Sequence, residues 1–464
     1  MEEEQGKKLH VVMFPWMAIG HLRPFFELSK YVARRGHKIS FISSPRNLKK
    51  TVKVPPHLSR LIDLVAIPLP PVEHLPPDAE SSMDVPHVKQ QLLKVALDLL
   101  EPELRSFLEN ASPKPDWIVY DYASHWLPRL AGELGIKRAY FSLFTAAFMA
   151  FLGPPSVLLN GAFSRSAAED YTVVPEWLPA SSNMAFRLHE MTKNKEKDAD
   201  GNDYDSGTND SIRFALSVDG SDIVIFRSCV EFEPEWFELV RSLYRKPVFP
   251  VGALPSGDER DEGDEEWTKI REFLDLQKEG SLVYVALGTE AVLTNEEAQE
   301  LALGLEQCGS PFFWVLNRSY EKLPEGFCDR VRDRGVVYSK WAPQVKILGH
   351  VAVGGFLTHC GWNSATEALG FGRPLILFPV MNDQGLNARL LQEKGVGIEI
   401  PRNEADGSFT GEAVAEAVRA ALVGEEGRSV RENASKMREL FGSESRSNSY
   451  VDTLVHHMMQ TNGI

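Results

Sequence analysis

Residues Trp341–Gln384 read WAPQVKILGH VAVGGFLTHC GWNSATEALG FGRPLILFPV MNDQ. At the centre is a strand pattern, Val353–Thr358, followed by a loop with His359, Gly361, Trp362, Asn363 and Ser364, then a short helical pattern that Gly370 ends. Strand, glycine-bearing loop and helix in this order are the working unit of an α/β fold. A helix beginning at this loop directs unpaired backbone N–H groups and the positive end of its dipole into it, where a phosphate is held. His359, Asn363 and Ser364 add side-chain donors, and Gly361 lets the backbone come close. The loop reads as a diphosphate cradle.

The flanks of the stretch carry groups that suit the rest of a nucleotide sugar. The indole of Trp341 can stack on a planar base, and the Glu367 carboxylate can accept from two vicinal ribose hydroxyls. Asp383 and Gln384 place an acceptor and a donor side by side, as sugar hydroxyls require. Singly, each has an ordinary reading: Trp341 in a core, Glu367 on a helix surface, Asp383 and Gln384 in a turn. Their joint spacing favours the ligand.

Working outward, the same grammar occurs twice. The amino-terminal strand pattern, Leu9–Phe14, breaks at Pro15 and leads into a loop with Gly20, His21 and Pro24. A helix with Phe25, Leu28, Tyr31 and Val32 on one face follows, Gly36 stops it, and Ile39–Ile42 give a second strand. Midway, Leu282–Ala286 is a strand, Gly288 and Thr289 form a loop, and Thr294 with Glu297 makes a capping box. It opens a helix whose Ala298, Leu301, Ala302 and Leu305 share a face; Gly309 ends it before a strand at Phe312–Leu316. Two β-α-β openings predict two doubly wound domains, with ligand loops at the carboxyl ends of their strands and the site in a cleft between them. The expected division is 1–250, 251–440 and a terminal amphipathic helix within 441–464, which carries Val451, Leu454, Val455 and Met458 and packs back on the first domain. The acidic Ser256–Glu266, with seven acids, reads as a solvated loop after the linker, and Lys193–Asp210 as a second polar stretch.

Composition agrees with two globular domains. The chain has 464 residues, 43% of them apolar and 25% charged, with 34 Gly and 29 Pro, more than one core usually serves. A net charge of −15 works against binding a phosphate backbone, so nucleic acid is not an expected partner. Four scattered cysteines, Cys229, Cys308, Cys328 and Cys360, form no disulfide or zinc pattern and fit the cytosol, the expected compartment. The amino terminus lacks the pattern of a secretion signal, and no apolar run reaches the ~20 residues that span a bilayer. The expectation is a monomer.

His21 stands in the loop after the first strand, where α/β folds place reactive groups. Imidazole can take a hydroxyl proton near neutral pH, although a lone histidine in such a loop is more often structural. Two Asp-x-Asp triplets, Asp198–Asp200 and Asp203–Asp205, have no strand before them, so no metal is implied. The dinucleotide fingerprint G-x-G-x-x-G is missing, which argues against a nicotinamide enzyme.

The 44-residue stretch closely resembles the donor box of plant UDP-dependent glycosyltransferases, from its tryptophan to its Asp-Gln pair, and the resemblance runs over essentially the whole chain. It implies the GT-B arrangement, two facing Rossmann-like domains, with a UDP-sugar as co-substrate and no cofactor. By that likeness Trp341 stacks on uracil, Gln344 lies near the uridine and Glu367 holds ribose. His359, Asn363 and Ser364 hold the diphosphate, with Trp362 in the same loop, and Asp383 and Gln384 hold the hexose. Thr289 takes the place of the family's serine in a Phe-Gly-Ser turn, here Leu287-Gly288-Thr289, and Thr145 touches the sugar edge. His21 becomes the general base, and Asp121, after the strand Trp117–Tyr120, its partner.

The amino-terminal half is expected to wall an acceptor pocket with Trp16, Met17, Phe144, Phe148, Met149 and Phe186, a lining suited to an apolar small molecule. PWMAIGH, SSPRNL and SCVEFEPEW resemble the clade that adds a sugar to a sugar already on a glycoside. The implied reaction is inverting glucosyl transfer from UDP-glucose, often 1→2, to a terpenoid or flavonoid glycoside. UDP-rhamnose on the same acceptors, a UDP-sugar epimerase of the same architecture and a non-catalytic binder are the alternatives.

Overall fold

A computed structural model of the protein describes residues 8–161, 165, 167–192, 202–255, 265–291, 293–316 and 323–462. Asp198–Asp200, most of the acidic Ser256–Glu266 and the start of Lys193–Asp210 lie outside the described residues. Helix Glu265–Asp275 takes up the last two residues of the acidic stretch.

Thirteen strands among the described residues form two sheets. The first contains β1 (His10–Phe14), β2 (Lys38–Ser43), β3 (Ile62–Ala66), β4 (Trp117–Tyr120), β5 (Lys137–Ser142), β6 (Ile223–Phe226) and β7 (Val248–Pro250). Their order is β3-β2-β1-β4-β5-β6-β7, every neighbouring pair parallel. The second contains β8 (Leu282–Ala286), β9 (Phe312–Val315), β10 (Gly335–Tyr338), β11 (Val353–Thr358), β12 (Leu375–Leu377) and β13 (Gly397–Glu399), in the order β10-β9-β8-β11-β12-β13 and again all parallel. β1, HVVMF, is buried at every position, as a strand covered on both faces must be, so its sequence shows no alternation. In each sheet the strand order reverses beside the first strand, at β1/β4 and at β8/β11. There the connections diverge to opposite sides and leave room for a ligand beyond the carboxyl ends.

By its contacts the chain divides into two compact units. Among the described residues, those within Met1–Ser164, Lys195–Leu254 and Glu444–Ile464 group around the first sheet, and those within Arg165–Asn194 and Pro255–Ser443 around the second. Unlike the simple division drawn from sequence, the segment 165–192 leaves the first unit and packs in the second. Arg187, His189 and Glu190 on this segment bond Glu399, Glu404 and Arg389. The terminal helix, Glu444–Thr461, lies in the first core through Val451, Leu454, Val455 and Met458. There Trp117 Nε1 donates to the Met458 carbonyl at 3.1 Å.

Candidate active site

In the first unit the chain leaves β1 at Phe14 and enters helix Ile19–Ala33. The expected loop through Gly20, His21 and Pro24 is thus already helix. His21 N and Leu22 N both bond the Ala18 carbonyl at 2.9 Å, and burial of Leu22 and Phe25 draws the first turn inward. His21 therefore sits on a rigid element. β1 and β4 are neighbours, with Phe14 opposite Tyr120, so Asp121 emerges beside that turn. His21 Nδ1 lies 2.6 Å from Asp121 Oδ2. Asp121 is buried, and it also accepts from Trp16 N at 3.2 Å and Tyr122 N at 2.7 Å. A carboxylate so fixed keeps the proton on Nδ1, which gives Nε2 the lone pair of a base.

Aromatic rings surround the imidazole. Phe144 lies edge-on to it with centroids 5.9 Å apart, and Tyr122 lies 6.1 Å away. Phe148 stacks on Phe144 at 4.9 Å, while Phe214 stacks on Tyr122 at 4.4 Å. Of the predicted acceptor wall, Phe144 and Phe148 are brought to His21, and Trp16 and Met17 are buried in the turn leading to it. Two are not. Met149 is buried, its Sδ 3.8 Å from Tyr140 OH and its carbonyl accepting from Tyr244 OH at 2.9 Å, since it lies about 100° further round helix Ala146–Leu152 than Phe148. Phe186 belongs to the second unit and packs on Tyr171. Thr145, expected at the sugar edge, is fully buried and caps helix Ala146–Leu152, its Oγ1 accepting from Phe148 N at 3.0 Å.

Tyr122 and Phe214 were not anticipated, nor was a narrow recess beside Met17, lined by Phe14, Pro15, Ile42, Ile67 and the hydroxyls of Ser43 and Ser44. Both hydroxyls are buried without a partner. Ser44 stands at the amino-terminal cap of helix Pro45–Thr51 without capping it, and the Glu80 carboxylate takes the Arg46 N–H instead at 2.7 Å. A serine just before a proline that starts a helix was the available signal.

In the second unit β8 and β11 are neighbours, and the loops that follow them meet. Helix Trp362–Gly370 begins after Gly361 with no side-chain cap, so its first N–H groups face the loop as anion donors. The His359 ring is wedged between two glycines. A Cβ on Gly361 would lie 2.4 Å from His359 Nε2, and one on Gly288 2.8 Å. His359 Nδ1 is buried without a partner, and burial pushes the imidazole pKa down to about 4. Neutral, with an unmet ring nitrogen, it is suited to an anionic ligand that offers hydrogen-bond acceptors. Thr289 follows Gly288 on the same rim and is exposed.

Gln344 Nε2 donates to Ser364 Oγ at 3.0 Å and to Glu367 Oε2 at 2.8 Å, which joins three of the predicted donor residues. Trp341 is 65% exposed, an open indole face rather than a core residue. Trp362, in contrast, is buried edge-on against Phe441. Its indole anchors the helix, while its backbone N–H lies among those at the helix start.

Gln384 Oε1 accepts from Val380 N and Met381 N at 3.0 and 2.9 Å, and so holds its own loop in shape. Asn387, not among the residues expected from the sequence, ties the loop of Asp383 to the loop of His359: its Nδ2 donates to Asp383 Oδ2 at 2.7 Å and to the Cys360 carbonyl at 3.0 Å. Cys360 and Asn382 both hold positive φ, 67° and 56°, so backbone strain is kept in the two loops of the candidate donor site. Asp203 and Asp205 are taken up in local turns with Tyr204 N and Gly207 N. Among the described residues no group of three or more His, Cys, Asp or Glu could hold a metal, and no helix is long and apolar enough to cross a membrane.

Two Rossmann-like sheets, one presenting a His-Asp pair and the other a helix start without a side-chain cap at their switch points, define a nucleotide-sugar transferase of the GT-B fold. UGT2 of Phytolacca americana, solved with UDP-2fluoro-glucose and pterostilbene, aligns over 98% of this chain and 99% of its own with a TM-score of 0.75 and 25% identity. The family model for UDP-glucoronosyl and UDP-glucosyl transferase matches residues 216–442. UDP-glycosyltransferase 91C1 of Arabidopsis thaliana is 54% identical over 459 residues, 99% of this chain and 98% of the relative. Soyasaponin III rhamnosyltransferase of Glycine max is 38% identical over 98% of this chain and 96% of its own. The chain belongs to the plant UDP-dependent glycosyltransferases. It is a glycosyltransferase that draws on a UDP-sugar, which decides against the epimerase.

Proposed function

We propose that the protein is an inverting glucosyltransferase that moves glucose from UDP-glucose to a hydroxyl of a small apolar glycoside, extending its sugar chain through a 1→2 linkage. The observation that carries the reading is the 2.6 Å contact of His21 with a buried Asp121. The acceptor oxygen attacks the anomeric carbon, the bond from that carbon to the diphosphate oxygen breaks, and the hydroxyl proton passes to His21 Nε2. Asp121 stabilises the imidazolium, and the start of helix Trp362–Gly370 with His359 stabilises the leaving UDP. Trp341, Gln344 and Glu367 serve the uridine and ribose, Ser364, Asn363 and Thr289 the diphosphate, and Asp383 and Gln384 the hexose. The rings of Phe144, Phe148, Tyr122 and Phe214 support an apolar acceptor.

Replacing His21 by Ala is expected to lower kcat by ~10²–10⁴ while the dissociation constant for UDP stays close to that of the parent. Wild-type turnover in that variant would end the assignment. UDP-rhamnose is the second donor reading, favoured by the likeness to a relative named as a rhamnosyltransferase. Aglycones and their monoglucosides incubated with UDP-glucose or UDP-rhamnose, with products resolved by mass and linkage, separate the two. Faster transfer from UDP-rhamnose, or transfer to aglycones alone, would replace the corresponding part of the reading.

A further inference from the structure

Helix Gln384–Glu393 starts at the loop read above as the hexose end of the donor site, and its first turn is clamped by a residue almost two hundred positions earlier. The Glu190 carboxylate lies against the backbone of Gly385, where an added Cβ would come within 2.3 Å of Glu190 Oε2. Glu190 Oε1 accepts from Arg389 Nη2 at 2.6 Å, and both side chains are more than nine-tenths buried. Arg389 Nη1 returns to the Gly385 carbonyl at 2.8 Å and reaches Glu399 Oε1 at 3.3 Å. Glu399 in turn takes Arg187 Nη1 at 2.7 Å. Two carboxylates and two guanidiniums are thus paired in a largely dehydrated cluster, which Arg402, bonded to Glu297 Oε1 at 3.1 Å, also faces, and removing one charge strands its partners. A carboxylate at the first turn of a helix is also favoured by the helix dipole. Both Glu190 and Arg187 come from the 165–192 segment, which by sequence belongs to the acceptor half.

We infer that Glu190 is a positioning residue for the sugar moiety of the donor: through Gly385 and Arg389 it sets the Met381–Gln384 loop, and hence recognition of the hexose but not of UDP. The inference rests on the reading of Asp383 and Gln384 as the hexose contacts. It places the connection between the nucleotide end and the sugar end at Asn387, so a shift in the first turn of the helix moves the sugar contacts before the phosphate loop.

The test is calorimetric titration of UDP, UDP-glucose and UDP-rhamnose into the full chain and its variants. Glu190→Gln is expected to weaken the better-bound UDP-sugar by about fivefold or more, with UDP affinity within about twofold of the parent. Arg187→Gln, at a partly exposed position, is expected to shift the same ratio less and serves if Glu190→Gln does not fold. Equal weakening of UDP and UDP-sugar, or an unchanged ratio in both variants, would overturn the inference. Gln384→Ala is the control. If it too leaves the ratio unchanged, the hexose reading fails; if it alone changes the ratio, the Glu190 inference fails and that reading stands.

Discussion

His359 is held in a slot whose walls are two missing side chains. Gly361 has an ordinary backbone conformation, φ −60°, so Gly361→Ala is not strained in itself; its methyl would instead drive the imidazole off its position. The expected result is a loss of UDP affinity of about tenfold or more with only a small change in Tm, read by titration and scanning calorimetry on the same sample. Unchanged UDP affinity would show that the ring has no part in holding the diphosphate. The sequence named His359, Gly361 and Ser364, since all three fall within six residues. It could not show that Gly288, some seventy residues earlier, forms the opposite wall, because that depends on β8 and β11 lying side by side.

At the scale of single elements, helix Ala146–Leu152 is the instructive case. The likeness to the family assigns Thr145 to the sugar, whereas its geometry makes it the cap of this helix. Thr145→Ala is therefore expected to cost ~1 kcal/mol of stability, measured by denaturant unfolding, with the KM for the UDP-sugar unchanged. A raised KM with unaltered stability would restore the sugar contact. Phe144 and Phe148 lie four apart across the start of this helix and so stack beside His21, while Met149, one residue on, turns to the core. The list of apolar residues in the sequence did not make that distinction, because it depends on where the helix begins. In the same way His21 was legible as a residue but not as a helical one.

For the whole molecule, buried neutral histidines set a response to acid. Burial, aided by the positive charges of Lys8 and Arg35, pushes the His37 imidazole down to about 4, and burial does the same to His359. His37 Nδ1 accepts from Leu9 N at 3.1 Å, a bond that protonation would break. The unfolded chain takes up these protons near pH ~6.5 and the folded chain only near 4, so their contribution to stability is complete above ~6.5 and declines as pH falls toward 4. Tm in the absence of nucleotide is expected to drop through that window, and His37→Asn to flatten part of the drop. A Tm that stays level from pH 7 to 4.5 would contradict the assignment.

Local sequence determined a good deal of this protein. Periodicity and breakers gave both β-α-β openings, Thr294 and Glu297 form the capping box read from their spacing, and the terminal stripe from Val451 to Met458 is buried as an amphipathic helix requires. These features depend on neighbours within one or two turns, which a linear reading can see. Tertiary structure alone decided the rest: that Asp121 meets His21 across adjacent parallel strands, that Trp362 is core while Trp341 is open, and that 165–192 joins the second unit. Strand order and the pairing of distant charges such as Glu190 with Arg389 arise from packing between segments far apart in the chain, and no local pattern of residues encodes them.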